Sequence, residues 1–296
     1  MFKIVSKHTY SPTVFKIEVE APQIARKRQA GQFVVLRVNE QGERFPLTIY
    51  NADSEKGTLS LVFQTVGKSS AHLGTLNVGD QILDVVGPLG RPTHIAKYGT
   101  VVCIGGGIGT APVYPIAQAM KQAGNKVISI IGARSKDLLI LESEMREVSD
   151  EIVVCTDDGS YCTKGFTSDL LKSVINRGTT IDLVVTIGPV PMMKVICGIT
   201  KEHKIKTMVS LNPLMVDATG MCGVCRVTVG GETKFGCVDG PEFDGHLVDF
   251  DELIKRLRIY LNQEKEAFER YKQLAHDKKC EQLAEEGRDR KTVNLL

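Results

Sequence analysis

The sequence lacks long apolar runs and a strong excess of either charge. No apolar stretch reaches the ~18 residues that a transmembrane helix needs, and residues 1–20 lack the apolar segment of a signal peptide. The 37 basic and 35 acidic residues leave a net charge of +2. Neither nucleic acid nor an anionic membrane is therefore expected as a main partner, and the protein is predicted to be cytoplasmic.

Histidine is scarce, whereas cysteine is frequent. The six histidines show no metal-ligand spacing, so we assign them no role. In the cytoplasm, the eight cysteines are expected to be reduced or metal-bound rather than paired as disulfides. Three of them, Cys222, Cys225 and Cys237, lie within sixteen residues. A bound cofactor is therefore most expected in this segment.

The chain of 296 residues is long enough for two or three domains. Residues 1–97 contain short β-rich segments separated by turn residues, which predicts a small antiparallel barrel. Over residues 98–210, apolar strands alternate with helical segments, which predicts a parallel sheet covered by helices. Residues 211–248 are rich in Gly and Cys and contain a short hairpin. Residues 249–296 are predicted to form a charged, helical tail.

The segment DATGMCGVC and a later cysteine carry the strongest chemical pattern. Asp217, Cys222, Cys225 and Cys237 are spaced D-x4-C-x2-C-x11-C. Plant-type [2Fe–2S] sites use C-x4-C-x2-C with a distant fourth cysteine, so the spacing favours such a cluster with Asp217 at the first position. Zinc is one alternative, although zinc sites more often pair two C-x2-C units. A set of small buried cysteines beside an ordinary loop aspartate is the other.

A glycine-rich turn opens the first helix of the α/β region. In VVCIGGGIGTAPV the glycines let backbone amides approach a phosphate, and a helix amino terminus favours its negative charge. Acidic residues after a later strand can bind ribose hydroxyls and disfavour a 2′-phosphate, whereas an arginine can accommodate one. Tight or polar turns without a ligand are the alternatives. The candidate NAD-binding residues are Gly107, Gly109, Thr110, Ala111, Pro112, Arg134, Asp157, Asp158, Gly188 and Met192.

Polar and basic residues on the predicted barrel fit a flavin nucleotide. Arg44 can pair with a diphosphate, and the Thr48 hydroxyl can reach a flavin ring. Residues 67–70 offer amides, a cation and hydroxyls to phosphates, although a solvated basic loop is the alternative. The candidate FAD-binding residues are Arg44, Pro46, Leu47, Thr48, Val62, Gly67, Lys68, Ser69 and Ser70.

The order of these motifs resembles the ferredoxin–NADP reductase superfamily with an appended iron–sulfur domain. The segments TDDGSYCTKGF, IGPVPMMK, VSLNPLMVDATGMCGVCRVTVGG and CVDGPEFDGHLVDFDEL resemble electron-transfer subunits of dihydroorotate dehydrogenase. They resemble still more closely the small subunits of NADH-dependent ferredoxin:NADP oxidoreductases, also described as sulfide dehydrogenase subunits. The resemblance covers residues 1–262. It implies FAD on the barrel, NAD(H) on the α/β domain and Asp217 as a ligand of a [2Fe–2S] cluster, where the dihydroorotate subunits use cysteine.

This resemblance also implies an activity and a partner. Hydride passes from NADH to FAD, and single electrons then pass through the cluster to a large subunit with a second FAD and further clusters. That subunit reacts with NADP(H) and ferredoxin and bifurcates or confurcates electrons. The cofactors perform the chemistry, so no acid–base side chain is assigned. A subunit of a dihydroorotate- or sulfide-oxidising complex and a redox-sensing flavin/cluster module are the alternatives.

Two further segments are predicted to be helical from their periodicity. One is LLILESEMREV at residues 138–148. The other is the tail, where Leu253, Leu257 and Leu261 share one helical face. Such an apolar stripe either folds back on its own chain as a cap or docks on the partner subunit. We favour docking, because electrons must cross a subunit boundary.

Overall fold

The computed structural model describes residues 1–274, and its amino-terminal part is a nearly closed antiparallel barrel. The strand order is β6-β1-β2-β5-β4-β3-β7, as predicted for this fold class. Two short helices, which the sequence pattern did not reveal, are inserted between strands. The elements are β1 (Phe2–Ser11), β2 (Val14–Glu20), α1 (Pro22–Lys27), β3 (Phe33–Arg37), β4 (Phe45–Asp53), β5 (Thr58–Gln64), α2 (Lys68–Thr75), β6 (Gln81–Ile82) and β7 (Asp84–Leu89).

Strand β4 divides its side chains between the inside and the outside of the barrel. Phe45 and Leu47 pack against the barrel core. Because successive side chains of a strand point to opposite faces, Pro46 and Thr48 face outward. Tyr50, further along β4, also lies outside the barrel core and packs against the second domain. The outer face of this strand is therefore available to a ligand or to other domains.

The second domain is a sheet that is parallel except for its last strand. The strand order is β11-β10-β9-β8-β12-β13-β16, where β16 spans Glu242–Asp244. Helices α3 and α4 cover the face toward the barrel, and α5 and α6 cover the other. The elements are β8 (Thr100–Gly106), α3 (Thr110–Gln122), β9 (Lys126–Ala133), α4 (Glu142–Glu147), β10 (Glu151–Thr156), β11 (Thr163–Lys164), α5 (Thr167–Asn176), β12 (Leu183–Ile187), α6 (Val190–Glu202) and β13 (Thr207–Ser210).

The direction of chain progression reverses between β8 and β12. From β8, the chain moves outward through β9 and β10, then returns to place β12 on the other side. Gly105 of β8 lies opposite Ile187 of β12 at their carboxyl ends. In doubly wound sheets, ligands bind at such a switch point. The predicted dinucleotide turn after β8 and the predicted residues after β12 therefore border one crevice.

The third unit contacts both other domains. It contains the hairpin β14 (Arg226–Val229) and β15 (Glu232–Phe235), the strand β16 (Glu242–Asp244) and the helix α7 (Phe250–Arg256). Strand β16 extends the second sheet by antiparallel pairing with β13. On the other side, Cys225 and Cys237 pack against Phe33 and Val35 of the barrel.

Two predicted helices have different limits in the structure. The helix predicted over residues 138–148 spans only Glu142–Glu147. The preceding residues cannot continue it, because residues 136–138 form a 3-10 turn and Leu141 adopts a left-handed φ of 60°.

The predicted tail helix is interrupted. Helix α7 ends at Arg256, residues 257–260 form turns, and helix resumes over 261–274. Leu253 is buried, whereas Leu261 is 41% exposed, so the apolar stripe does not continue across the break. Residues 275–296, including Cys280, lie outside the described residues. Within residues 1–274, no helix is long and apolar enough to span a bilayer.

Candidate functional site

Two side chains at the amino-terminal end of α2 hold the carboxylate of Glu43. The Ser69 hydroxyl donates to the Glu43 carboxylate at 3.2 Å, and the Lys68 ammonium pairs with its other oxygen at 3.3 Å. The first amides of a helix lack intrahelical acceptors, and the helix dipole favours an anion there. Glu43 therefore lies where a phosphate group could bind. This arrangement fits the predicted role of Gly67, Lys68 and Ser69 toward the FAD diphosphate.

Ser70 has a structural role in the same loop. Its hydroxyl oxygen accepts from the Val66 and Gly67 amides at 3.0 and 3.1 Å, and the hydroxyl donates to the Gly67 carbonyl at 3.1 Å. The hydroxyl thus fixes the turn that begins α2. Its predicted contact with FAD remains a prediction.

The predicted flavin-ring residues lie on the outer face of β4 and its neighbours. Thr48 lies opposite Phe33 of β3, and the β4–β5 register of Ile49 with Leu61 puts Val62 beside it. Val62 is buried among residues shared with the second domain. Leu47 packs inside the barrel, so only its backbone is available to a ligand on the outer face.

The opposed charges at α2 yield a prediction for flavin binding. Lys68→Gln should weaken FAD binding by on the order of 1.5–3 kcal/mol, or about tenfold to a hundredfold, because a charge-assisted contact to the diphosphate is lost. Glu43→Gln should strengthen binding, because the competing carboxylate is removed. Equilibrium titration of the FAD-free chain with FAD measures both. Equal affinities in the two variants would contradict the assignment.

The glycine turn after β8 combines one open position with one closely packed position. At Gly107, φ is +55°, and an added Cβ would meet no atom within 4 Å. At Gly109, an added Cβ would lie 2.8 Å from the Gly188 Cα and would also meet the Ile187 carbonyl. The turn is thus open toward solvent and closed against β12. Such a cradle suits a phosphate held by backbone amides at the start of α3.

The remaining predicted residues of this turn offer few free donors. Thr110 and Ala111 are buried, and the Thr110 amide donates to the Gly107 and Ile108 carbonyls, so the contacts of both residues with NAD remain predictions. Pro112 has no amide hydrogen and therefore cannot donate. Met192 lies against Gly106 and Gly188, where it fills the junction of β8 and β12.

The predicted ribose-binding residues lie together at the ends of β9 and β10. The Asp157 amide donates to the Ala133 carbonyl at 3.0 Å, and the Asp158 amide donates to the Arg134 carbonyl at 3.1 Å. Ser160 donates from its hydroxyl and its amide to the Asp158 carboxylate, which lowers the pKa of Asp158. Asp157 and Arg134 are exposed at the surface of the turn.

The four predicted cluster ligands form two pairs. The Cys225 and Cys237 sulfurs are 3.2 Å apart. Asp217 and Cys222 form the second pair, since the chain between them turns back and the Met221 amide donates weakly to the Asp217 carboxylate at 3.4 Å. Among residues 1–274, no three His, Cys, Asp or Glu side chains are grouped to hold a single metal ion. Two pairs of donors match the two protein ligands that each iron of a [2Fe–2S] cluster takes, and their role as cluster ligands remains a prediction.

The electrostatics of the two pairs differ. Hydrogen bonds from backbone amides lower the pKa of the exposed Cys222 thiol, and the bond from the Val224 amide has the largest effect. Burial, followed by the neighbouring Cys225 sulfur, raises the pKa of Cys237 to about 12. A buried sulfur pair of this kind ionises when a cation binds it, because metal ligation requires thiolates. The donor set is therefore suited to an anionic, thiolate-ligated cluster.

One cavity of the described part of the chain lies away from the predicted sites. It has a volume of about 680 Å³, lies beside α4 and contains none of the predicted site residues. A second cavity of about 60 Å³ lies between the barrel and the cluster loop and is lined by both Arg44 and Asp217. Sequence reasoning did not predict this proximity, nor the role of Glu43 at α2. In the sequence, the signal for this role was that Glu43 directly precedes Arg44, a predicted ligand of the FAD diphosphate.

Fold and site together define a flavin-dependent oxidoreductase with a nucleotide-binding domain and an iron–sulfur domain. Residues 1–94 match the oxidoreductase FAD-binding domain, and residues 212–249 match the iron–sulfur cluster binding domain of dihydroorotate dehydrogenase B. A dihydroorotate dehydrogenase B (NAD(+)) electron transfer subunit homolog from Thermotoga maritima is 47% identical over 91% of this chain and 95% of its own length. The chain belongs to the family of these electron transfer subunits and their homologues.

Two further similarities bear on the branch of this family. The electron transfer subunit of Bacillus cereus dihydroorotate dehydrogenase B is 32% identical over 81% of this chain and 94% of its own length. A solved structure of an NADH-dependent reduced ferredoxin–NADP oxidoreductase, studied for flavin-based electron bifurcation, is 46% identical. The superposition covers 92% of this chain and 98% of the chain in that structure, with a TM-score of 0.87.

Proposed function

We propose that this chain is the NADH-oxidising electron-transfer subunit of an electron-bifurcating ferredoxin:NADP oxidoreductase complex in the cytoplasm. When bound, NADH, FAD and the [2Fe–2S] cluster supply the redox chemistry, by hydride transfer to the flavin and then single-electron transfer to a large subunit. One observation carries the proposal. The outer face of β4, where the flavin ring is predicted, adjoins strand β3, on which Cys225 and Cys237 pack.

The protein's contribution is to position three cofactors. The amino end of α2 binds the FAD diphosphate, and the turn at Gly107 and Gly109 binds the NADH pyrophosphate. Tyr50 of β4 stacks on Tyr114 of α3 with ring centroids 4.7 Å apart, and so fixes the second domain against the barrel. The nicotinamide at the switch point and the flavin on β4 are thereby held between the same two domains.

A dihydroorotate dehydrogenase complex is the second candidate. It is favoured by the match of residues 212–249 to the iron–sulfur domain of that enzyme. The resemblance of Asp217 to the aspartate ligand of the bifurcating enzymes favours the first candidate.

The test is reduction of the purified chain and of its native complex. NADH should bleach the flavin and sustain turnover of a dye, with a higher kcat/KM than NADPH, because Asp157 repels a 2′-phosphate. The native complex should contain a larger flavin and iron–sulfur subunit and reduce ferredoxin. Reduction without turnover would instead support a redox sensor, and dihydroorotate oxidation by the native complex would support the second candidate.

The partner is proposed to dock around the cluster loop. Met221 is 89% exposed and lies next to the ligand Cys222, and Val216 and Val238 of the same unit are 55% and 39% exposed. Exposed apolar side chains in one group are typical of interaction surfaces. Single electrons must leave near this surface, so it suits contact with the large subunit.

Met221→Asp should therefore separate electron transfer within the chain from transfer to the partner. NADH-to-dye turnover should stay near the wild-type rate, while co-purification with the large subunit falls about tenfold or more, because a charge is buried at the interface. Leu247→Asp is the matched control, since Leu247 is also exposed, at 53%, but lies in a different loop. Equal co-purification of both variants would reject this surface.

A further inference from the structure

Three charged residues form a row across the outer face of the barrel. The β3–β4 pairing of Leu36 with Phe45 continues to place Arg37 beside Arg44, and Asp84 of β7 lies opposite Arg37. All three face outward, because Leu36 and Phe45 pack inside the barrel. Two arginines side by side on one face repel each other unless acids compensate both.

Only one of these arginines has its counter-charge within the barrel. The Arg37 Nε donates to the Asp84 carboxylate at 2.7 Å. Arg44 is exposed, and within residues 1–274 its side chain makes no hydrogen bond or ion pair. The small cavity against the cluster loop is lined by Arg44, Arg37 and Asp84 on the barrel side. Asp217 is the acidic residue that lines it from the cluster loop.

The Asp217 carboxylate is held by one of its two oxygens. Its Oδ2 accepts from the Thr219 amide at 3.1 Å, the Thr219 hydroxyl at 2.5 Å and, more weakly, the Met221 amide at 3.4 Å. These bonds fix the orientation of the carboxylate. They leave Oδ1 available to a metal, so Asp217 is suited to bind iron through a single oxygen.

We propose that Arg44 is a positioning residue for Asp217, with its guanidinium directed across the cavity to keep the carboxylate on the cluster and to favour the reduced cluster. The inference rests on the proposed [2Fe–2S] cluster. A cation beside a group that gains an electron stabilises the reduced form. The carboxylate is a weaker electron donor than a thiolate, so Arg44 and Asp217 act in the same direction. Both raise the cluster potential relative to an all-cysteine site.

The test is a redox titration of the full-length, FAD-loaded chain, followed by electron paramagnetic resonance of the reduced cluster. Arg44→Gln should lower the midpoint potential and alter the signal, whereas Arg44→Lys, which keeps the charge, should stay close to wild type. Arg177→Gln removes the same charge from the end of α5 and should leave the potential unchanged. An unchanged potential in Arg44→Gln would overturn the inference.

A double-mutant cycle tests whether Arg44 acts through Asp217. Asp217→Cys should keep the cluster and lower its potential, because thiolate donates more electron density. If Arg44 contacts the carboxylate, Arg44→Gln should shift the potential less in the Asp217→Cys chain than in wild type. Equal shifts in both backgrounds would overturn the assignment.

Two further measurements keep the inference separate from the proposals it rests on. If Arg44→Gln loses the cluster entirely, wild-type iron content in Arg44→Lys supports the role of the charge, and equal loss contradicts it. Absence of the cluster from the wild-type chain would refute the proposed function itself. FAD content, measured on the same samples, reports separately on the predicted contact between Arg44 and the diphosphate.

Discussion

Cys225→Ser should yield a chain that retains FAD and NADH-to-dye turnover but loses its iron–sulfur cluster. Cys225 is 1% exposed and its sulfur lies 3.2 Å from that of Cys237. A serine hydroxyl is a poor ligand for a cluster that prefers thiolates, and the buried pair would lose one of its two anionic ligands. Iron should fall from about two atoms per chain toward none. Reduction of the large subunit by NADH should fall with it.

Iron and sulfide analysis with the visible spectrum measures this loss. Cys197→Ser is the matched control, because Cys197 is 4% exposed but packs in a different apolar cluster. It should keep its iron. Full iron content in Cys225→Ser would refute the ligand assignment, and loss in both variants would point to general destabilisation.

Gly109→Ala should abolish most reduction by NADH while FAD and the cluster remain in place. The added methyl group would meet the Gly188 Cα at 2.8 Å and the Ile187 carbonyl, and neither backbone group can rotate away. Overpacking of this kind costs on the order of 3 kcal/mol, or about a hundredfold in kcat/KM if it acts wholly on the nucleotide site. The strain falls at the junction of β8 and β12, where the crevice is built.

Stopped-flow reduction by NADH, with flavin and iron content measured in parallel, tests this prediction. Gly198→Ala is the control, since Gly198 lies in α6 and an added Cβ there meets no atom within 4 Å. It should react like wild type. Normal NADH kinetics in Gly109→Ala would exclude the turn as the nucleotide site.

The sequence predicted the larger architecture because periodicity and spacing are local properties. The short β-rich segment that contains Phe45 and Leu47 predicted a strand, and the turn at Gly107 and Gly109 predicted a phosphate site. The structure confirms the barrel and the parallel sheet. The ligand contacts of these residues remain predictions.

The features that escaped prediction depend on contacts between distant segments. The cavity shared by Arg44 and Asp217 joins residues far apart in sequence. The break after α7 depends on packing, because Leu253 lies in an apolar cluster with residues of α6, whereas Leu261 is 41% exposed. The start of α4 also escaped prediction. The apolar periodicity of the sequence continues through Leu141, but the left-handed backbone of Leu141 keeps the helix from beginning earlier.

The outer face of β4 has a consequence for how this protein tolerates insertions. Arg44 lies toward the cluster loop, Thr48 lies in the predicted flavin site, and Tyr50 contacts the nucleotide-binding domain. Inserting one residue within β4 would exchange its inner and outer faces beyond the insertion and turn Tyr50 toward the barrel core. Lineages of this protein should therefore vary in loop length on either side of β4 while the strand keeps a fixed number of residues.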